Sequence, residues 1–440
     1  MKLITQIFVV ATFLLASHIT LAQQNNKQTG SSTPSHVTIK VVNGQYHFYV
    51  NNKLFDAKGV GMGMNNMAML KEAGANSFRT WGSNNAAQVL DSAAKYNLMV
   101  AMGLGMGQEL HKFDYSDSAS VAKQFNAIKK AVDMYKNHPN LLCWVAGNEL
   151  NLSGSKTPVS PKVYDALKDI VDYIHKTDPN HPVTTTFAGL TKAQVQVALE
   201  HCPDLDFLSF QVYGGLGSLP AQAKAAGITK PYAITEFGPR GHWESPTTAW
   251  GREIEETSSV KAAGIMKRIQ KGIVEDKSGL CIGSYAFVWG QKQERTPTWY
   301  GMFIKSGEAN ATVDELTKYW TGKYPKNRAP QVDSMKIDGK NAVDNIYIKP
   351  GIQIKAKVYA WDPEHDPLTY KWVILKEVTV RSQGGAREAE PTAIPIEIKS
   401  DSNGELTFLS PAVEGEYRLF SYVFDGKNKV GTANVPFYVK

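Results

Sequence analysis

Between residues 55 and 320, short apolar runs alternate with longer stretches in which apolar residues recur at helical spacing. This alternation is typical of repeated strand–helix units whose strands form one parallel sheet. Eight units in about 270 residues match the size of a (β/α)8 TIM barrel, an α/β fold. An open doubly wound sheet is the alternative, but the glycine-rich runs at 59–63 and 103–107 lack the spacing of a dinucleotide fingerprint. The predicted strands are 55–61, 77–81, 98–103, 141–147, 182–187, 207–212, 232–235 and 282–289.

The segments on both sides of this barrel have the pattern of strands alone. Before it, two alternating runs flank Asn43-Gly44, a strong hairpin signal, and the barrel domain with this hairpin is expected over residues 36–324. The pattern stops in a linker at residues 325–330, which begins and ends with proline. Over residues 331–440, about seven short apolar runs are separated by turn dipeptides, which favours a C-terminal all-β sandwich of the immunoglobulin-like kind.

The N-terminus has the pattern of a cleaved secretory signal. Lys2 is followed by the apolar run 7–15 and by small residues before Gln23, so residues 1–22 are the expected signal peptide and residues 23–35 a polar, flexible tether. The alternative, a buried N-terminal helix, is disfavoured because the tether would separate it from any core. We therefore expect a secreted or periplasmic protein. No later segment approaches 18 uninterrupted apolar residues, so no stable membrane insertion is expected.

Composition excludes several classes of protein. The chain has 48 basic and 41 acidic residues, a net charge of +7, and its basic residues are scattered rather than clustered. A nucleic-acid partner is therefore not expected. The three cysteines are widely spaced, which argues against a disulfide framework and against a C-x-x-C metal site. The sequence leaves the oligomeric state open.

Two glutamates follow predicted barrel strands, at the C-terminal ends where such barrels place their functional residues. Glu149 comes after the fourth strand and Glu236 after the seventh, so the two should face each other across the barrel mouth. Glycoside hydrolysis requires such a pair, one acid to protonate the leaving oxygen and one carboxylate to attack the anomeric carbon. We expect their carboxyl groups to lie roughly 5 Å apart, as in retaining enzymes. A solvated loop carboxylate is the alternative for either residue taken alone.

The residues around both glutamates are similar to the paired motifs of clan A glycoside hydrolases. Within that clan the chain most resembles the (β/α)8 barrel domain of glycoside hydrolase family 2, over about residues 36–324. This resemblance implies a secreted retaining β-glycoside hydrolase that acts by double displacement, with Glu149 as the acid/base and Glu236 as the nucleophile. The segments that carry it are residues 58–60, 78–82, 144–149 and 235–238.

Other polar and aromatic residues at predicted strand ends match the same clan. Arg79 would keep Glu236 ionised, and the hydroxyl of Tyr213 would donate to it. Asn148 suits a contact with the sugar 2-hydroxyl, and Trp289 suits the floor of a sugar subsite. Structural ion pairing or core packing is the alternative for each. Further candidates for substrate binding are Trp81, Glu109, His111 and Trp243, and more weakly His242, Gln291 and Trp299.

Two other functions use the same framework. A β-glucan transglycosylase would use the same glutamates and deliver the sugar to another hydroxyl instead of water; a barrel followed by an immunoglobulin-like module is also similar to some such enzymes. A non-catalytic carbohydrate-binding protein would keep the barrel without turnover, but the intact pair Glu149 and Glu236 speaks against it. A carbohydrate is the expected partner in every case, and the sugar and linkage are open.

No metal or organic cofactor is expected at the barrel site, because a pair of carboxylates suffices for the chemistry. The sequence has one other acidic cluster, Asp362-Pro363-Glu364-His365-Asp366, in the C-terminal domain. Its carboxylates could bind calcium, and a structural turn is the alternative that we favour. For the C-terminal domain as a whole, a spacer role, a docking role and carbohydrate binding are all open.

Overall fold

The computed structural model describes residues 33–440, except residues 155–157, 383–384 and 396. The expected signal peptide and most of the tether lie outside the described residues. A small antiparallel sheet comes first, and its turn Asn43-Gly44 has φ of 53° and 78°, the pair of positive values that a type I′ hairpin requires. The sheet contains β1 (Val37–Val42), β2 (Gln45–Val50) and β3 (Lys53–Phe55).

The barrel is a closed sheet of parallel strands. The fifth strand is interrupted at Thr185, and its two halves pair with different neighbours, β8 with β7 and β9 with β10, which closes the sheet. The strands are β4 (Ala57–Gly61), β5 (Ser77–Arg79), β6 (Met99–Leu104), β7 (Leu141–Ala146), β8 (Val183–Thr184), β9 (Thr186–Ala188), β10 (Leu208–Gln211), β11 (Tyr232–Phe237) and β12 (Cys281–Ala286).

Helices alternate with these strands in sequence and bury their apolar faces against the sheet. Trp144 on β7 is fully buried, and its indole N–H donates to Asp178 Oδ2 at 2.7 Å, so its only polar atom is satisfied. No helix in the described part of the chain is long and apolar enough to cross a membrane. The helices are α1 (Met67–Glu72), α2 (Ala86–Lys95), α3 (Ser118–Tyr135), α4 (Lys162–Thr177), α5 (Lys192–His201), α6 (Leu219–Ala226), α7 (Ser258–Ile269) and α8 (Ala311–Thr321).

The N-terminal hairpin covers the bottom of the barrel. Phe48 of β2 is buried, and its ring meets that of Phe207 edge-on at 5.5 Å. The same apolar cluster includes Met99, Leu142 and Ile282, which lie near the starts of barrel strands. The opposite end, where the barrel strands terminate, is therefore the one left for a functional site.

Two antiparallel sheets follow the barrel and share one core, which includes Val332 and Ile354 from one sheet and Leu419 and Val435 from the other. The predicted fold class, a TIM barrel followed by an all-β sandwich, is confirmed; its immunoglobulin-like topology remains a prediction. Strand β13 was not predicted. The strands are β13 (Gln331–Ile337), β14 (Tyr347–Ile348), β15 (Gln353–Trp361), β16 (Thr369–Lys376), β17 (Ala393–Ile394), β18 (Ile398–Ser402), β19 (Glu405–Leu409), β20 (Gly415–Phe424) and β21 (Val430–Val439).

Buried charged groups join the sandwich to the barrel. Arg418 of β20 donates to Glu377 Oε1 at 2.8 Å and to the backbone oxygen of Glu253, on the barrel side, at 2.7 Å. Glu255 of the barrel accepts from Asn434 Nδ2 of β21 at 2.6 Å. Removing one partner of a buried pair leaves an uncompensated charge, which costs about 3–5 kcal/mol. The sandwich is therefore fixed on the barrel rather than loosely tethered to it.

A sandwich loop, the described part of residues 381–388, reaches the rim of the barrel. Arg295 of the barrel donates its backbone N–H to Glu388 Oε1 at 2.8 Å, and its Nη1 to the backbone oxygen of Ser382 at 3.2 Å. Gly385 and Ala386 of this loop line a pocket at the barrel mouth. The segment expected as a linker also packs closely, since Ala329 is fully buried.

Candidate active site

Glu236 lies on β11 at the barrel mouth, buried, with a donor at each carboxylate oxygen. Oε1 accepts from Arg79 Nη1 at 3.1 Å and from the indole N–H of Trp81 at 2.8 Å. Oε2 accepts from the hydroxyl of Tyr213 at 2.8 Å. Three donors, one of them a buried cation, fix the position of this carboxylate and occupy both of its oxygens. The expected contacts of Arg79 and Tyr213 with Glu236 are confirmed.

Glu149 follows β7 and has a different environment. Its φ of 49° lies in the left-handed region, and its backbone N–H is held by the Thr186 hydroxyl at 2.8 Å. Burial raises the pKa of Glu149 to about 8; the charge of Glu236 acts in the same direction, and the Arg79 guanidinium opposes it. Glu149 therefore keeps its proton at neutral pH. The carboxyl separation of roughly 5 Å remains a prediction.

Gln211, at the end of β10, links the two halves of the site and was not predicted. With its amide nitrogen toward Glu149, it donates to Oε1 at 2.6 Å, and its oxygen accepts from Arg79 Nη1 at 2.8 Å. The reverse orientation would set that nitrogen against the guanidinium, donor against donor, whereas the first brings the Gln211 oxygen to 2.7 Å from Asn148 Oδ1. In the first orientation Gln211 connects Glu149 to Arg79, the partner of Glu236.

Asn148 lies beside Arg79, which donates to its Oδ1 from Nη2 at 3.0 Å. Because Oδ1 faces the guanidinium, the amide nitrogen is the end that can donate to a bound hydroxyl. Asn148 also lines the pocket that contains both glutamates. Its position therefore suits the expected contact with a sugar hydroxyl.

Two pockets meet at the glutamates. The inner pocket, about 700 Å³, is lined by both Glu149 and Glu236 and by His111. The outer pocket, about 830 Å³, is lined by Glu149 and by Gln194, and Glu236 is not among its lining residues in the described part of the chain. Cavities of this size hold ligands larger than one sugar ring. Glu149 lines both pockets, so the arrangement forms a cleft with Glu149 where the two pockets meet.

Comparison with known proteins agrees with this geometry. Residues 40–254 match the family model described as glycosyl hydrolases family 2, TIM barrel domain. The barrel thus resembles the TIM barrel domain of glycosyl hydrolases family 2. This confirms the resemblance predicted from the sequence.

Solved structures resemble the chain in fold. A Bacteroides uniformis β-glucuronidase 2, covalently bound to cyclophellitol-6-carboxylate aziridine, matches with a TM-score of 0.52 at 13% identity, over 92% of this chain and 48% of that one. A Ruminococcus gnavus β-glucuronidase in complex with C6-substituted uronic isofagomine matches with a TM-score of 0.50 at 15% identity, over 65% and 52%. The chain thus spans about half the length of these proteins.

The tryptophans of the barrel have different positions. Trp289 is almost fully buried and donates to the backbone oxygen of Asn66 at 3.3 Å, yet it lines the inner pocket, as a subsite floor would. Trp243 is exposed and lines both pockets. Trp299 is buried and donates to the backbone oxygen of Arg240 at 3.0 Å, so it is a packing residue.

Glu109 does not join the site. Its carboxylate accepts from the backbone N–H of Ser160 at 3.1 and 3.2 Å, and it is not among the described residues that line either pocket. The short 3₁₀ turn after β6 directs its side chain toward the start of α4, while His111 of the same turn reaches the inner pocket. We therefore no longer assign Glu109 to substrate binding.

A second charged group beside the glutamates was also not predicted. Glu294 lines both pockets, forms an ion pair with Lys292 and lies 3.5 Å from the Nε2 of His242. The charge of Glu294 contributes to raising the pKa of Glu149. It lies far from both glutamates in sequence, and sequence spacing therefore gave no signal.

The hydroxyl of Tyr213 offers a direct test of the Glu236 environment. Tyr213→Phe removes one hydrogen bond to a charged group, worth about 1.5–3 kcal/mol, so kcat/KM on a cleaved glycoside should fall about 10- to 100-fold. Tyr164→Phe is the matched control, since Tyr164 is buried and its hydroxyl has no partner among the described residues. Equal kinetic constants for the two variants would contradict a role for the Tyr213 hydroxyl.

Proposed function

We propose that this protein is a secreted retaining β-glycoside hydrolase that acts on β-linked oligo- or polysaccharides. The observation that carries the proposal is the contrast between the two glutamates. Glu236 accepts hydrogen bonds from the Arg79 guanidinium and the Tyr213 hydroxyl, and Glu149 keeps its proton because burial and the charge of Glu236 raise its pKa. A carboxyl group that keeps its proton beside one that is paired with a cation is what acid and nucleophile require.

The reaction follows from these states. Glu149 donates its proton to the glycosidic oxygen while a carboxylate oxygen of Glu236 attacks the anomeric carbon, so the bond to the leaving group breaks and a covalent glycosyl-enzyme forms. Glu149, now ionised, takes a proton from water as that water attacks the same carbon and releases Glu236. Two inversions return the β-configuration. Arg79 and Tyr213 orient the nucleophile throughout.

The shape of the cleft supports an extended substrate. The inner pocket, which contains the nucleophile, would hold the sugar that becomes covalently attached. The outer pocket, which Glu149 lines and Glu236 does not, would hold the leaving group. This pocket also favours the second candidate function, transglycosylation, because a sugar bound there could replace water as the acceptor.

The first experiment is a screen of the purified protein on β-linked oligo- and polysaccharides and on aryl β-glycosides, with β-glucuronides included because the similar structures are β-glucuronidases. Product anomers are followed by NMR, and product lengths by mass spectrometry. Release of the β-anomer supports the proposal, and products longer than the substrate identify transglycosylation. Initial release of the α-anomer, or no cleavage of any substrate, would contradict it.

Secretion is proposed from residues 1–22 alone. Expression of the full chain in a bacterial host, fractionated and analysed by intact mass, tests it. A mature protein that begins at Gln23 outside the cytoplasm is the expected result. Retention of the intact N-terminus in the cytoplasm would contradict it.

The pKa of Glu149 predicts the alkaline limit of activity. Because the first step needs protonated Glu149, kcat/KM should decline as the pH rises through about 8, where Glu149 loses its proton. The measurement is the pH profile of kcat/KM on a substrate that needs protonation. With an activated aryl glycoside, Glu149→Ala should lack this alkaline decline; an unchanged decline would assign it to another group.

A further inference from the structure

Three aspartates of the sandwich come together near its junction with the barrel. Asp362 and Asp366 lie in the turn after β15, and Asp425 lies in the turn between β20 and β21. One carboxylate oxygen from each lies within 4.8 Å of the others. Asn327, from the segment that joins α8 to β13, donates to Asp425 Oδ2 at 2.6 Å. The cluster therefore gathers oxygen atoms from three separate parts of the chain.

The turns account for two of the six carboxylate oxygens in this cluster. Asp362 Oδ1 accepts from the backbone N–H groups of Glu364 at 2.8 Å and Asp366 at 3.0 Å. Asp425 Oδ1 does the same for Lys427 at 2.7 Å and Lys429 at 3.1 Å. These contacts confirm a structural turn, the interpretation favoured from the sequence. The turns do not involve the Oδ2 atoms of Asp362 and Asp425 or the carboxylate of Asp366.

Several buried oxygens of the cluster have no donor within the described part of the chain. They are Asp362 Oδ2, Asp366 Oδ2 and Asn327 Oδ1. Asp362 is only 5% exposed, so its unpartnered oxygen is well removed from solvent. A buried acceptor without a partner costs about 1–3 kcal/mol, and more when it is charged. The two carboxylate oxygens among them, from Asp362 and Asp366, belong to one cluster and indicate a missing positive ligand.

The charges around the cluster also require a cation. Lys427 donates to Asp366 Oδ1 at 2.6 Å, but its side chain is largely exposed. Arg328 is paired with Glu364 at 2.7 Å, and Lys429 of the Asp425 turn is paired with Asp314. Three carboxylates thus face one exposed ammonium, and Lys427 contacts none of the three unpartnered oxygens.

We propose that Asp362, Asp366, Asp425 and Asn327 form a calcium site. Oxygen-only donors, carboxylate and amide, are those that Ca²⁺ prefers. With Ca²⁺–O distances of about 2.3–2.6 Å, oxygens on one ion lie up to about 5 Å apart, which the cluster satisfies. Rotation of the Asn327 amide would turn its oxygen to the ion. The ion ties the segment that leaves the barrel to two turns of the sandwich.

Calorimetric titration of the EGTA-treated full chain with CaCl₂ tests the site. One ion should bind, and CaCl₂ at about 10 mM, above the 10⁻³ M of weak protein sites, should raise the unfolding temperature. Asp362→Asn retains an oxygen for the turn but loses the charge, so the affinity should fall about 10-fold or more. Asp338→Asn is the matched control, because Asp338 also accepts a backbone N–H, that of Lys355, outside the cluster.

Several results would overturn the site. No heat and no thermal shift with CaCl₂ would exclude it in the wild-type chain, whatever the variants do. Equal affinity for the wild type and Asp362→Asn would place calcium elsewhere, as would an equal loss in Asp338→Asn. A response to MgCl₂ as large as that to CaCl₂ would overturn the choice of ion. If Asp362→Asn does not fold, Asp366→Asn takes its place.

Discussion

Replacing Glu236 with alanine is expected to lower kcat by about 10⁴-fold or more on every substrate, as removal of a covalent nucleophile does. Arg79, Trp81 and Tyr213 would then point at an empty volume, where no group can attack the anomeric carbon. Azide of suitable size could occupy that volume and displace the leaving group directly. The product should be an α-glycosyl azide, identified by NMR.

A control is needed for the cavity that Glu236→Ala creates. Glu236→Gln keeps the side-chain volume and an acceptor for the Tyr213 hydroxyl, but it has no anionic oxygen. It should be as inactive as Glu236→Ala, and thermal unfolding should show that both variants are folded. Activity within about tenfold of wild type in either variant, or a β-glycosyl azide from Glu236→Ala, would refute the assignment.

Replacing Glu149 with alanine should have an effect that depends on the leaving group. On a natural glycoside, whose leaving oxygen must be protonated, kcat/KM should fall by about 10²- to 10⁴-fold, the usual contribution of a general acid. On an aryl glycoside with a leaving group of low pKa, formation of the glycosyl-enzyme should be much less affected. The glycosyl-enzyme should then accumulate, since no base remains to activate water.

Azide separates the two glutamates. In Glu149→Ala it should attack the glycosyl-enzyme and restore turnover of the aryl substrate, giving a β-glycosyl azide. Intact-mass measurement should detect the covalent intermediate on Glu236 before azide is added. An equal loss on natural and activated substrates, or an α-azide product, would show that Glu149 is not the acid/base.

The sequence predicted the parts of the site that depend on local pattern. Glu149 and Glu236 follow apolar strands, and strand ends of a barrel converge at one mouth, so their proximity could be inferred without coordinates. The hairpin could also be predicted from local sequence, because the dipeptide Asn43-Gly44 favours its turn. Glu109 shows the limit, because it follows a strand as Glu149 does, yet the turn that holds it directs its carboxylate to a backbone N–H.

Contacts between distant segments could not be inferred. Gln211 has the appearance of a strand residue, and only the assembled barrel places its amide between Glu149 and Arg79. The polar residues of β13, such as Asp333, lie outward and mask its alternation, so this strand was missed. The packing of sandwich on barrel depends on pairs such as Arg418 and Glu377, which are joined only by folding.

Because Gly385 and Ala386 of the sandwich loop line the pocket that contains both glutamates, this cleft is formed by the barrel and the sandwich together. If the C-terminal domain served only as an anchor, another domain could replace it without changing the cleft. Here its removal would open one wall of the cleft and leave the buried charge of Arg295 without Glu388. Because the loop lines the cleft, changes in its sequence would alter which substrates bind, while every strand of the barrel and both glutamates stay as they are.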